Sequence, residues 1–327
     1  MSDNLNSKKV VLFGCGKMGL EYSKVLTALG VDFSVVGRSQ GGVDVFFQKT
    51  GIKAVSNGFN AWVKSNQSGA TQAIVAVSVE ELAQTAINLM DFGIKRILLE
   101  KPAGLNREEI RHVKDKAEET GTEITVAYNR RFYSSVLKAQ EIIKADGGAK
   151  SFSFEFTEWL HLIPDHFKDI VKENWFLANS THVVDLAFFL CGKPKNLKSY
   201  ISQGPDCCYP AVFSGAGVTE TKALFSYQAN WFGPGRWGLE IVTKEHRIIL
   251  RPLEKLQIQL NKSLAVDFIE IEDQFDRDFK PGLFKQTDYF LKKFNHPNFI
   301  NINEHYNNVI NYFQKINGSK DFCVKKA

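Results

Sequence analysis

Three clusters in this 327-residue chain have residue types and spacings suited to chemistry. The first is Gly14-Cys15-Gly16-Lys17-Met18-Gly19, which follows the β-branched and aromatic run Lys9–Gly14 and precedes an apolar helical pattern reaching Leu29. In a G-x-G-x-x-G string joining a strand to a helix, the first glycine allows a tight turn. The second lets the backbone approach a pyrophosphate, and the third lets helix and strand pack closely. The helix N-terminus adds free N–H groups and partial positive charge, so Lys17 and Met18 join Gly14, Gly16 and Gly19 as candidate dinucleotide contacts. The string alone is a weak signal; its strand–loop–helix context makes it informative. Cys15 reads as a small residue between two glycines.

The second cluster is Glu100-Lys101-Pro102, at the end of the strand Arg96–Glu100. Ligands of open parallel sheets bind outside the carboxyl ends of strands, so Lys101 stands where an amine could meet a reacting group. Glu100 and Ser78, the latter ending the apolar run Gln72–Ser78, are candidate cofactor contacts at the same edge. The third cluster is Asn179-Ser180-Thr181-His182-Val183-Val184-Asp185, with His182 at the start of a short apolar helix, Thr181–Leu190. Imidazole titrates near neutral pH, and Asp185, about one helical turn on, could orient it or pair with a neighbouring element. Taken alone, a histidine there reads as structural.

Further candidates surround these. NAD sites usually place an acid at the end of the second strand to hold the ribose 2′-hydroxyl. Here Val35-Val36-Gly37-Arg38-Ser39 lacks it. Arg38 can pair with a 2′-phosphate and Ser39 can hydrogen-bond to it, which favours NADP over NAD. Of Asn129, Arg130 and Arg131, after the last parallel strand, one arginine could clamp an anion and the other join two domains by an ion pair. Arg236, in the loop-like run Gly233–Trp237, could reach a substrate of its own or a neighbouring subunit. Trp159 and Trp175 read as sheet packing.

Positioning these residues needs two kinds of architecture. Strands at Lys9–Gly14, Asp32–Val36, Gln72–Ser78, Arg96–Glu100 and Thr122–Tyr128 alternate with helical patterns, notably Val79–Met90 and Asn106–Thr120 with Gly121 as its C-cap. That alternation implies right-handed βαβ units and a doubly wound parallel sheet of the Rossmann kind. After a helical stretch at Phe132–Lys144, period-two segments recur: Lys150–Glu158, Lys222–Tyr227, Leu239–Thr243 and Arg247–Leu250. They imply an α+β domain with a largely antiparallel open sheet. Two helices, Gly282–Phe294 and Ile302–Ile316, close the chain. The expected division is residues 1–130 for the dinucleotide and 131–327 for substrate and oligomerisation, with the closing helices able to pack back on the first domain.

Composition excludes several classes. The net charge is +5, but the basic residues are scattered and form no nucleic-acid arm. The five cysteines, an odd count without C-x-x-C spacing, argue against a disulfide framework or zinc site. His161 and His166 have no ligand set around them and read as surface loop, so no metal is expected. The polar N-terminus lacks a signal-peptide core and no apolar run spans a membrane, which makes the cytosol the expected compartment.

The GCGKMG loop, the AIVAVS strand, the LLEKP motif and the YNRRF segment occur in the order found in the glucose–fructose oxidoreductase/inositol dehydrogenase family, and the chain resembles that family across its first half. E-K-P is the most specific element. The resemblance implies that Lys101 lies near the nicotinamide and the reacting oxygen, often before a cis proline bond. It makes His182 the counterpart of a histidine in a D-x-x-x-H motif. The aspartate is absent here: Ala178 occupies its place, with Asn179 adjacent. The implied activity is NAD(P)-dependent oxidoreduction of a sugar, cyclitol or sugar derivative, with Asn129, Arg131, Asn179 and Asp185 as candidate substrate contacts. The implied assembly is a homodimer or homotetramer through the second sheet. Two rivals remain. A non-catalytic dinucleotide-binding regulator would need neither Lys101 nor His182. A reductase of a tetrapyrrole or dihydrodiol would need a flatter, more apolar pocket.

Overall fold

The structure, a computed structural model, describes residues 9–65, 69–163, 167–204, 210–292 and 295–318. His166, Cys207, Cys208 and Cys323 lie outside the described residues. The chain forms two compact units: Met1–Phe132 with Gln274–Tyr306, and Tyr133–Asp273 with Asn307–Ala327.

Unit 1 begins β1 (Lys9–Phe13), α1 (Lys17–Ala28), β2 (Phe33–Val36), α2 (Gln40–Thr50), β3 (Ala54–Val55), α3 (Gly58–Lys64), β4 (Ala70–Val75), α4 (Leu82–Phe92), β5 (Arg96–Glu100), α5 (Arg107–Thr120) and β6 (Glu123–Ala127). These six strands are parallel, in the order β3-β2-β1-β4-β5-β6. The order reverses between β1 and β4, the switch point at which such sheets bind ligands. Val10–Leu12 and Ile97–Leu99 are buried throughout, as strands covered on both faces require. β4 ends at Val75, short of the expected Ser78. Ala76 N still donates to Phe13 O at 2.7 Å, and the chain then turns into a 3₁₀ segment, Val79–Glu81.

Local chemistry fixes the helices. α1 has no side-chain cap at its N-terminus. With glycine at the N-cap, the missing side-chain bond costs only about a few tenths of a kcal/mol. Full burial of Tyr22, Val25 and Leu26, at roughly 1.5–3 kcal/mol per large side chain, outweighs it. α1 therefore holds while its first N–H groups stay available. α5 starts with a reciprocal cap. Asn106 Oδ1 accepts from Glu109 N at 3.0 Å, and Glu109 Oε2 accepts from Leu105 N at 2.7 Å. It ends at Gly121, whose φ of +62° suits a glycine C-cap.

Unit 2 contains α6 (Ser134–Ala145), β7 (Ser151–Glu155), α7 (Asp169–Glu173), α8 (Thr181–Cys191), β8 (Pro194–Gln203), β9 (Pro210–Thr219), β10 (Leu224–Asn230), β11 (Gly238–Val242), β12 (His246–Leu250), β13 (Gln257–Leu260) and β14 (Asp267–Phe268). The sheet order is β14-β13-β12-β11-β7-β10-β9-β8, antiparallel except for the parallel pair β7/β10. Phe152, Phe154, Phe225 and Tyr227 alternate onto one face, where Phe188 of α8 packs edge-on against three of the rings. Leu224 and Tyr200 stay exposed. α8 is entered through a π-helical turn, Phe176–Ser180.

The chain then re-enters unit 1 with α9 (Gln274–Asp278), α10 (Leu283–Lys292), β15 (Ile300–Asn301) and α11 (Ile302–Asn308). Leu283, Phe290 and Leu291 of α10 join the core around Leu12, Tyr22 and Leu98. β15 pairs antiparallel with β6. A π turn at Val309–Phe313 and α12 (Gln314–Asn317) follow, so the expected closing helix Ile302–Ile316 is broken in its middle. Among the described residues, no helix is long and apolar enough to cross a membrane.

Candidate active site

The glycine loop fits a dinucleotide. Gly14 has φ +126°, and a Cβ there would overlap the carbonyl of Ala76, across the switch point. A Cβ on Gly19 would overlap the carbonyl oxygen of Gly14. Gly16 is the opposite case: a Cβ would meet nothing within 4 Å. The first and third glycines are thus demanded by the fold, whereas the second faces open space beside the uncapped N-terminus of α1. Lys17 is exposed there, while Met18 packs on the core. At the end of β2, a Cβ on Gly37 would crowd Val43 Cγ2 and Cys15 Sγ. Burial raises the Cys15 thiol to about 11, consistent with a packing role. Arg38 is exposed and 3.7 Å from Glu81. The Ser39 hydroxyl accepts from Gly42 N at 3.3 Å and caps α2. Ser78 is exposed beyond β4.

Lys101 leaves β5 on a loop held from several sides. Its bond to Pro102 is cis. Ala103 N donates to Glu100 O at 3.0 Å, and Leu105 N is taken by Glu109. The Pro102 carbonyl is 2.9 Å from Nε2 of the fully buried His305. A carbonyl can only accept, so Nε2 bears the proton. Burial, reinforced by Arg131, lowers the His305 pKa to about 4 and keeps the ring neutral.

Glu100 accepts a 2.8 Å hydrogen bond from Tyr22, tying α1 to the end of β5. Burial raises the Glu100 carboxyl, against the pull of Tyr22, Lys101 and Lys280. Lys280 was missed by the sequence reading, because no local motif marks it. Burial, then Arg130 and Lys17, lower its pKa, while Glu100 and Glu21 oppose them. The end of the parallel sheet therefore gathers Lys17, Lys101, Arg130 and Lys280 around the carboxylates of Glu21 and Glu100. That excess of positive charge suits a phosphate-bearing ligand.

Asn129 and Arg131, read as candidate substrate contacts, are engaged inside unit 1. Asn129 Nδ2 donates to Pro281 O at 2.9 Å, anchoring the segment that carries Lys280. Arg131 is buried, with its guanidinium near Tyr128 and the Asn298 carbonyl, and Asn298 Nδ2 donates back to Arg131 O at 2.8 Å. Arg130 is the arginine that bears on Lys280.

Unit 2 builds a second constellation at the N-terminus of α8. Glu158 is only 3% exposed, yet its carboxylate is well supplied with donors. Asn179 Nδ2 donates to both oxygens at 3.0 and 3.1 Å, Ser180 Oγ to Oε1 at 2.7 Å, and Arg236 Nη1 to Oε2 at 3.4 Å. Asn179 is thus a partner of Glu158. His182 and Asp185 are buried, and the His182 ring lies 6.1 Å from Trp237. Trp159 departs from the expected sheet packing. It is 40% exposed, its indole faces the Arg236 guanidinium, and its Nε1 donates to Gly235 O at 2.8 Å. Trp175 packs on Phe167.

No family profile matches the chain, and no curated protein matches it. Solved structures do. An oxidoreductase from Agrobacterium radiobacter in complex with NAD+, L-tartaric acid and magnesium superposes with a TM-score of 0.75 at 11% identity, covering 95% of this chain and 94% of its own. A levoglucosan dehydrogenase in complex with NADH gives 0.75 at 17% identity, with 94% and 95% covered. UDP-N-acetylglucosamine 3-dehydrogenase from Acidithiobacillus ferrooxidans gives 0.75 at 12% identity, with 95% and 96% covered. The chain shares the two-domain fold of these oxidoreductases: a mostly parallel Rossmann-like sheet and a second, largely antiparallel sheet.

Proposed function

We propose that the chain is an NAD(P)-dependent oxidoreductase that moves a hydride between nicotinamide and a hydroxyl- or carbonyl-bearing carbon of a sugar, cyclitol or sugar derivative. The observation that carries this reading is the cradle at the switch point, with open Gly16 and an uncapped helix N-terminus, on the same sheet edge as Lys101. When bound, the nicotinamide supplies the hydride chemistry. Gly14, Gly16, Lys17 and Gly19 hold the pyrophosphate. Lys101 Nζ takes the proton of the reacting hydroxyl, or returns it in the opposite direction. Glu100 and the bond from His305 to Pro102 hold the main chain that aims it. His182 is the second proton-handling side chain, carried by unit 2. Unit 2 would also bind substrate and associate with further copies through the open face of its sheet, as a homodimer or homotetramer.

Calorimetry with NAD, NADH, NADP and NADPH tests the cofactor, and no binding of any of the four would sink the assignment. Two glycine variants sharpen it. Aspartate is a good N-cap residue, so Gly16→Asp should keep the melting temperature. It places a side chain and a negative charge where the pyrophosphate approaches, so binding should fall by roughly a hundredfold or more. Gly19→Ala should instead destabilise the fold, by on the order of 1–3 kcal/mol, because its Cβ meets backbone that cannot turn aside.

The preferred cofactor is NADP. The ion pair of Arg38 with Glu81 is exposed and long, so it holds the guanidinium weakly and leaves it able to take a 2′-phosphate. Arg38→Ala should weaken NADP binding by roughly tenfold and NAD binding much less. Equal losses would show that Arg38 does not read the phosphate.

A further inference from the structure

Arg236 is held in a manner that packing alone does not explain. Its guanidinium lies 5.1 Å from the ring centroid of Trp159 and 4.7 Å from that of Trp237. Cation–π contacts to two indoles restrain it, and one edge faces Glu158. The loop beneath is equally constrained. Gly235 has φ +146°, and a Cβ there would overlap Glu155 Oε1. Arg251 Nη1 donates both to Arg236 O at 3.2 Å and to Glu155 Oε2 at 2.9 Å. The arginine is therefore pre-aimed by its backbone, its stacking and its ion pair. Its side chain nevertheless stays 49% exposed.

The donors and acceptors are arranged in layers. The oxygens of Glu158 are occupied from inside the unit by Asn179, Ser180 and one nitrogen of Arg236. Among the described residues, Glu158 is the sole hydrogen-bond partner of the guanidinium, and a guanidinium has five N–H donors. A ligand arriving from solvent would meet N–H donors flanked by aromatic surface, with the carboxylate shielded behind them. Such a fork recognises two oxygens of one anion.

We propose that Arg236, beside Trp159 and Trp237, anchors a substrate subsite for an oxyanion, a carboxylate or a phosphate carried by the sugar. This rests on the reading of the chain as a sugar-acting oxidoreductase, and it narrows the substrate to an acidic sugar. Neutral sugars would lack the group that the fork is built to take.

The test uses the full-length protein with saturating NAD or NADP. Binding of glucuronate, a glucose phosphate and glucose is measured by calorimetry. One of the two anions should bind roughly tenfold to a hundredfold more tightly than glucose, and which one does so identifies the anion. Arg236→Gln should remove that preference while leaving glucose and dinucleotide binding unchanged. Since Arg236→Gln strands a buried carboxylate, the double variant Glu158→Gln with Arg236→Gln is measured alongside, and it should lose the preference too. Arg236→Lys should not restore it, because an ammonium offers no planar fork. Equal binding of anionic and neutral sugars, or a preference that survives in the double variant, would overturn the subsite and leave the oxidoreductase reading standing. Failure of both the dinucleotides and every sugar to bind would overturn the two together.

Discussion

Lys101→Met is expected to lower turnover by on the order of a hundredfold or more, the usual scale for a positioned acid or base. Methionine keeps much of the apolar stem and removes only the amine. The main chain on either side is secured without that amine, by the bond to the Pro102 carbonyl, the Glu100–Ala103 turn and the Glu109 cap. Folding should therefore survive, and so should dinucleotide binding, since the glycine loop is supplied by β1 and α1. The loss should fall on kcat more than on KM, because the amine acts on the moving proton rather than on substrate affinity. His182→Asn should give a separate and smaller loss, with Lys101 still present. A substrate must first be found by following nicotinamide absorbance across sugars, cyclitols and sugar derivatives. If Lys101→Met then turns that substrate over at the wild-type rate, the assigned proton carrier is wrong, whatever the fold.

What could be read from the sequence divides along physical lines. Buried parallel strands are continuous apolar runs, so β1, β4 and β5 stand out, and the glycine string between β1 and α1 adds a constraint that only a tight crossing satisfies. The caps of α5 are equally local: Asn106, Glu109 and Gly121 lie next to the elements they end. α2 was not legible, because Gln40-Gly41-Gly42 carries poor helix formers; the Ser39 cap and the burial of Val43 and Phe46 compensate in the fold. An apolar stripe such as Leu283, Phe290 and Leu291 says that a helix is buried, not which core receives it. The same limit hid Lys280 and Glu158. Each acts through partners distant in sequence, and no spacing rule links Glu158 to Asn179, Ser180 and Arg236. Asn129 and Arg131 show the same limit. A polar cluster at a strand's carboxyl end suggests ligand contacts, and no spacing shows that Asn129 Nδ2 donates to the Pro281 carbonyl or that the Arg131 carbonyl accepts from Asn298 Nδ2.

His305 is expected to make the protein labile to mild acid. Its folded pKa is about 4, against 6.5 ordinarily, chiefly because the ring is fully buried. Between those values the unfolded chain binds a proton that the folded chain refuses. Stability from this group is therefore complete above pH 6.5, falls as the pH is lowered, and levels off once the pH passes below the folded value near 4. At about 1.4 kcal/mol per pH unit, the loss across that window is on the order of 3 kcal/mol, a large part of the margin of an ordinary domain. His305→Gln separates this titration from other acid effects. Glutamine retains an N–H that can donate to the Pro102 carbonyl and does not titrate. Urea unfolding of both proteins from about pH 7.5 down to about pH 4 should show the wild type losing stability more steeply. Parallel curves would mean that His305 does not carry the acid response. If the curves diverge as expected, the group that holds the main chain behind Lys101 is also the one that sets the acid limit of unit 1.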